Sequence, residues 1–332
     1  MEIEYTTLES DTPGQSFALR FIRFRGSGNG PSIYMQAALH AHEFPGMVAL
    51  DRLIPRLEQA ESEGRLASSV TLVPHANPVG LAQAVFGETL GRFDVNSRLD
   101  FNRSFPAAAP ESLSGRSTAE RLKATLLSLA AKADVVLDLH CDDEGPVYLY
   151  TAERQLDEGR RLARALGATV ILTDGGTDPL SFDLAVGARW AAENRSGDQR
   201  FAATVEFRGM MDVTPDLAKR DAAGLYRYLV DLGAVSDPLV AYDPADPVVG
   251  DVDDAQLIPT PVPGALLYDV SVGDWVTEGQ RLATVLSEVG VEPYEVRSPF
   301  DGLVMTRRDR RFVRRGEDVI KVLRHPRSGS RV

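Results

Sequence analysis

Between Ala18 and about Leu232, short apolar runs rich in β-branched residues alternate with longer stretches in which apolar positions recur every three or four residues. The short runs predict strands over 18–24, 32–39, 70–74, 135–139, 147–150, 169–172 and 202–207. The longer ones predict helices over 46–59, 119–131, 155–166, 182–192 and 215–232, the last with Thr214 as its N-cap. Such alternation is the pattern of an α/β fold, in which a mixed, mostly parallel sheet is covered by helices.

From about Asp237 the texture changes. The stretch DPLVAYDPADPVVGDVDD is rich in proline and acid, which deny the chain both helix and ladder bonds, and it predicts a linker over 237–258 between a catalytic unit, 1–236, and a second unit, 259–332. That unit contains two similar halves, GALLYDVSVGDWVTEGQRL from Gly264 and GLVMTRRDRRFVRRGEDVI from Gly302. Val276, Gly279 and Leu282 in the first match Val313, Gly316 and Val319 in the second. A duplicated run of short strands with turn glycines predicts an all-β barrel-sandwich. The halves resemble biotinyl and lipoyl carrier domains, whose joining hairpin bears a modifiable lysine. The joint here, LSEVGVEPYEVRS, has none, which favours a structural or substrate-gating appendage over a swinging arm. The strand edges of this unit also leave open the packing of a second copy of the chain, a homo-oligomer.

Composition narrows the function classes. At 332 residues, 43% hydrophobic and 25% charged, the chain is long enough to bury a large core without covalent support. Thirty-six basic against 48 acidic residues give −12, a sign that repels nucleic acid and anionic membrane surfaces. The lone Cys141 forms no internal bridge, and the first residues, MEIEYTTLES, lack a basic and apolar leader. No apolar run reaches the ~20 residues that cross a bilayer. The expected location is cytoplasmic.

The chemistry gathers at strand ends. His40 and Glu43 follow the apolar run IYMQAAL and precede a helix, and two intervening residues in a turn bring both side chains within reach of one ion. His140, closing VVLDLH, is the third candidate, because strand ends on one edge of such a sheet converge. Two imidazoles and a carboxylate are a catalytic zinc set, with one position left for water or substrate. Taken alone, H-x-x-E also fits a surface pair. His42 is expected on the pocket wall, pointing away from His40 if the strand persists. His75 is expected to be a satisfied core or loop residue, and His325 to be solvated. The segment GRFDVNSRLDFNRSFP adds Arg92, Asp100, Asn102 and Arg103, whose guanidinium groups suit an anionic acyl substrate, while Arg98 reads as a solvated loop residue. Glu206, among apolar residues in ATVEFRG, is a candidate general base, or else the partner of Arg208.

In order along the chain stand His40-Ala41-His42-Glu43 with Gly46, Asn77-Pro78, the run from Asp100 to Pro106, Asp138-Leu139-His140 and Val205-Glu206-Phe207. Together they resemble the succinylglutamate desuccinylase/aspartoacylase family, a branch of the zinc carboxypeptidase superfamily whose members also carry a C-terminal β-domain. The resemblance implies one Zn²⁺ per chain on His40, Glu43 and His140, with Glu206 as base and proton shuttle. It implies Arg92 polarising the scissile carbonyl, Asn102 and Arg103 holding the substrate carboxylate, and Asp100 positioning Arg103 or a ligand histidine. Phe207-Arg208 departs from the Leu-Gly common after the base, so Arg208 is expected to narrow the pocket or add a charge to it. The implied activity is hydrolysis of a small anionic N-acyl amino acid. A zinc carboxypeptidase acting on short peptides, or a non-catalytic metabolite-binding protein on the same fold, would share much of this pattern.

Overall fold

The computed structural model describes residues 1–106, 113–175, 181–195 and 200–325. An edge hairpin opens the chain, β1 (Glu2–Glu9) and β2 (Ser16–Phe24), followed by β3 (Ile33–Ala37), α1 (Pro45–Ser62), β4 (Val70–Val73) and the short α2 (Pro78–Leu81). A small hairpin, β5 (Ala84–Val85) and β6 (Glu88–Thr89), leads to α3 (Thr118–Ala130), β7 (Val135–Asp142) and β8 (Val147–Ala152). Then come α4 (Leu156–Leu166), β9 (Val170–Asp174), α5 (Phe182–Ala192), β10 (Phe201–Gly209), α6 (Pro215–Asp231) and β11 (Val248–Asp251).

Nine of these strands form one sheet in the order β1-β2-β4-β3-β7-β10-β8-β9-β11. The central run β4-β3-β7-β10 is parallel throughout; β1 runs against β2, β2 against β4, and β8 against β10, while β8 and β9 are parallel. Helices α1, α4 and α6 bury one face around Met35, Leu137 and Val205; α3 and α5 bury the other around Tyr34, Val136 and Ala202. Burial on both faces is why the central strands read as unbroken apolar runs. Thr214 caps α6 as expected, accepting from the Leu217 amide at 3.3 Å.

Three features depart from the sequence pattern. Strand β1 alternates polar and partly exposed residues at the sheet edge, so it lacks the apolar signature of the buried strands. Strand β3 ends two residues early, because Ala38 takes a left-handed φ of +57° and turns the chain out of the sheet. Within the stretch expected to be a linker, Val248–Asp251 adds to the large sheet beside β9, and a further strand starts at Ala255.

The remaining strands, β12 (Ala255–Pro259), β13 (Gly264–Tyr268), β14 (Trp275–Val276), β15 (Arg281–Leu286), β16 (Tyr294–Arg297), β17 (Gly302–Arg307), β18 (Phe312–Val313) and β19 (Asp318–Arg324), form two antiparallel four-stranded sheets. The two sequence halves interlock: β14 of the first pairs with β17 of the second, and β18 of the second with β13 of the first. The repeated Val276 and Val313 are both buried in the core between the sheets. This β-unit docks on the α/β unit through Leu303, Met305 and Leu323 packed on Tyr148, Val170 and Leu172. Glu144 exchanges backbone bonds with Arg307 and its carboxylate holds both Arg307 and Arg311. No helix among the described residues is long and apolar enough to cross a membrane.

Candidate metal centre and active site

On the face covered by α3 and α5, β3, β7 and β10 each start apolar and end polar: Tyr34 then Gln36, Val136 then Asp138 and His140, Ala202 then Thr204 and Glu206. Because these strands are parallel, their polar ends meet at one edge, with Gln36 beside Asp138 and His140 beside Glu206. The left-handed turn at Ala38 brings in His40 and Glu43 from the same edge. Helix α1 then packs tightly on β7: a Cβ on Gly46 would lie 2.6 Å from the Leu139 Cβ, so only glycine permits this approach.

His40, Glu43 and His140 are all buried, and one ligand atom from each lies within 4.8 Å of the others. The Glu43 carboxylate stands between the rings, 2.9 Å from Nδ1 of His40 and 2.8 Å from Nδ1 of His140. The opposite nitrogens face two further carboxylates. Nε2 of His40 lies 3.0 Å from Asp100, and Nε2 of His140 lies 2.9 Å from Asp138. Both nitrogens of each ring face a carboxylate, which when ionised only accepts, and a neutral ring has one N–H; with that proton on Nε2 toward Asp100 and Asp138, each Nδ1 is left with a lone pair. Three acceptors then face one another in a buried space, an arrangement that needs a shared cation or extra protons. Burial lowers the pKa of His140, but Asp138 and Glu43 more than reverse this and hold it well above its ordinary range. Burial likewise raises Glu43, yet the two imidazoles hold it well below the usual carboxylate range. The donor set therefore fits a divalent metal ion.

Glu206 faces the same space. Its Oε2 is buried and has no hydrogen-bond partner among the described residues. Burial pushes its carboxyl up to about 8; His140 opposes the rise and Glu43 adds to it. These groups line a cleft of about 640 Å³ that also contains His42, Arg92, Asn102 and Arg103. Its opposite wall comes from the β-unit, with Leu257, Arg308 and Lys321.

A family model described as the succinylglutamate desuccinylase/aspartoacylase catalytic domain matches residues 29–232. The chain belongs to this family. It is a hydrolase of the deacylase class with a candidate metal site. An N-alpha-acetyl-L-2,4-diaminobutyric acid deacetylase from Halomonas elongata is 28% identical over 296 residues, 88% of this chain and 82% of the relative. A solved succinylglutamate desuccinylase/aspartoacylase family protein from Shewanella amazonensis SB2B superposes with a TM-score of 0.85 at 25% identity, covering 97% of this chain and 98% of that one. The product-bound ectoine utilization protein EutE (DoeB) from Ruegeria pomeroyi shares the fold, with a TM-score of 0.73 at 20% identity over 98% of this chain and 95% of that one.

Asp100 serves His40, as above, and also Arg92, whose Nε lies 3.2 Å from Oδ2; no bond from Arg103 to the Asp100 carboxylate is seen among the described residues. The Asp100 carboxyl is raised by burial but held down to about 2 by His40 and Arg92. Asn102 is buried, its Oδ1 accepting from the Phe182 amide at the start of α5 and its Nδ2 lying 3.4 Å from Nε2 of His140. Arg103 donates to the Asn102 carbonyl at 2.8 Å and reaches the cleft. His42 does not point away, because the strand ends before it. It lines the cleft with its ring 6.4 Å from that of His40.

Arg208 corrects an expectation. It neither lines the cleft nor pairs with Glu206: a φ of +58° turns the chain there, and its guanidinium is bound to Asp221 on α6, at 3.0 Å for one of the two bonds. His75 is half-buried away from the cleft, and the exposed His325 packs 5.0 Å from Trp275.

The sequence pattern pointed past Asp138 and Gln36. Asp138 stands two residues before His140 on one strand, hence on the same face, and that spacing was the available signal. Gln36 donates to Asp138 at 2.9 Å and accepts from the Tyr34 hydroxyl at 2.8 Å.

Proposed function

We propose that the chain is a zinc-dependent deacylase that hydrolyses the amide of a small N-acyl amino acid, with His40, Glu43 and His140 holding the ion and Glu206 as the base. The observation that carries this is a buried, unpartnered carboxylate oxygen on Glu206 in one cleft with the three-ligand cluster. A zinc ion held there supplies Lewis acidity toward water and the substrate carbonyl. Glu206, ionised beside a bound cation, takes the proton from the attacking water and returns it to the leaving nitrogen. Arg92, fixed by Asp100, faces the charge that develops on the carbonyl oxygen. Arg103 and the Nδ2 of Asn102 hold the substrate carboxylate; Oδ1 of Asn102, already occupied by Phe182, keeps that amide in one orientation.

The β-unit closes the cleft opposite the sheet with Leu257, Arg308 and Lys321, and this wall favours small substrates over long peptides. Asp143, Asp174, Asp183 and Asp318 line it beside Arg308 and the Asp142–Lys321 pair, and these aspartates favour a substrate side chain carrying an amine over one carrying a second carboxylate. The name of the Halomonas elongata relative points the same way, to an acetylated diamino acid. The test is a hydrolysis screen with the zinc-loaded protein, reading free amine. N-acetyldiaminobutyrate, N-acetylaspartate and N-succinylglutamate are compared with short peptides. Release from acylated amino acids and not from peptides is expected; the reverse order, or no release from any of them, overturns the proposal.

A further inference from the structure

Lys123 is the one basic residue on the buried face of α3, where it shares that face with Ala119, Leu122, Leu126 and Leu127. Only 3% of it is exposed. A buried ammonium keeps its charge only if its N–H groups are accepted, and here the acceptors are backbone. Nζ donates to the carbonyls of Asp100 and Arg103, each at 2.7 Å, and stands 5.6 Å from the Phe105 ring. Among the described residues no carboxylate is within ion-pair distance of it, so the lysine is committed to that backbone.

The two carbonyls bracket a four-residue turn. Inside it the Asn102 amide donates to the Asp100 carboxylate at 2.8 Å, and the Phe101 amide donates back to Arg92 at 3.0 Å. The turn presents Asp100 to His40 and Arg92, Asn102 to α5 and His140, and Arg103 to the cleft. Lys123 touches none of the ligands or reacting positions. We propose that Lys123 is a positioning residue of the metal centre: by pinning the carbonyls of Asp100 and Arg103 it fixes the turn whose Asp100 carboxylate orients the His40 ring. This rests on the assignment of His40, Glu43 and His140 as metal ligands.

A double-mutant cycle tests it. Zinc dissociation constants are measured by chelator competition for the wild type, Lys123→Met, Asp100→Ala and the double variant, with thermal unfolding of each metal-free protein alongside. Lys123→Met keeps the apolar stem and removes the donors. It is expected to weaken zinc binding about 10- to 100-fold, as loss of support behind a ligand histidine does. In the Asp100→Ala background the same change is expected to cost less than about 3-fold, because the route to His40 is already broken. Additive losses, or an unchanged zinc constant in Lys123→Met, overturn the proposal. If Lys123→Met does not fold, Lys123→Leu, which also lacks N–H donors, takes its place in the cycle with the same criteria. A wild-type chain that holds no zinc removes the ligand assignment and this proposal together. That result is distinguishable from a wild type that binds tightly and a lysine variant that binds equally well.

Discussion

Glu206 is a carboxylate with one buried oxygen that has no hydrogen-bond partner among the described residues, and both its proton and its role can be measured. With its carboxyl raised from 4.5 to about 8, the native metal-free chain holds this proton more tightly than the unfolded chain does. The stability it contributes is complete below about 4.5 and is lost as pH rises through about 8. The melting temperature of the metal-free wild type is therefore expected to fall between pH 5 and 8 more steeply than that of Glu206→Gln. Parallel slopes in thermal unfolding would remove the raised carboxyl from the account. The same variant, loaded with zinc, is expected to retain its metal and lose at least ~100-fold in turnover, as loss of a general base does. Asp138 acts on the other property of the site. Since it accepts from Nε2 of His140, Asp138→Asn is expected to weaken zinc binding by about 10- to 100-fold with Glu206 untouched, a result read by chelator competition.

Elements set the distances these residues need. Glu43 leads into α1 and His140 lies on β7, so their spacing depends on how closely the helix approaches the strand at Gly46. A Cβ there would sit 2.6 Å from the Leu139 Cβ and 3.0 Å from its carbonyl oxygen. Gly46→Val is expected to cost about 1–3 kcal/mol in denaturant unfolding and to weaken zinc binding, because relief of the clash moves Glu43 from His140. Wild-type values for both measurements would show that the approach has slack. The same elements explain what was legible in the chain. His40, Glu43, His140 and Glu206 each follow or end an apolar run, and buried parallel strands advertise such ends. That β7 lies between β3 and β10 is written in no local pattern, so the pairing of His140 with Glu206 emerges only with the sheet. Strand β1 escaped because an exposed edge strand needs no apolar run. Strand β11 escaped because Val248 and Val249 sit among prolines and acids that argue for a loop. Lys123 was legible in principle as a charge on an apolar helix face, but its partners are carbonyls, which no sequence marks. Arg208 was misread because the backbone turn that sends it to Asp221 has no signature in a non-glycine residue.

At the scale of the whole molecule the cleft belongs to both units: the proposed ligands and base come from the α/β unit, while Leu257, Arg308 and Lys321 close it from the β-unit. What holds that wall in place is mixed. The apolar contact of Leu303, Met305 and Leu323 with Tyr148, Val170 and Leu172 is buried. Lys321 reaches across to Asp142 at 2.8 Å. Glu144 ties down Arg307 and Arg311 nearer the surface. Partly exposed pairs contribute at most ~1 kcal/mol each, so Glu144→Ala should leave the β-unit docked but its register looser. The metal ligands do not touch this seam, whereas the substrate must fit between it and the sheet. KM is therefore expected to rise by about 3- to 10-fold for the best acylated amino acid, with kcat changed less and the zinc constant unchanged. Steady-state kinetics with parallel metal titration check this. A loss of zinc affinity equal to the rise in KM would mean that the seam supports the ligands themselves. An unchanged KM would mean that the β-unit borders the cleft without shaping what enters it.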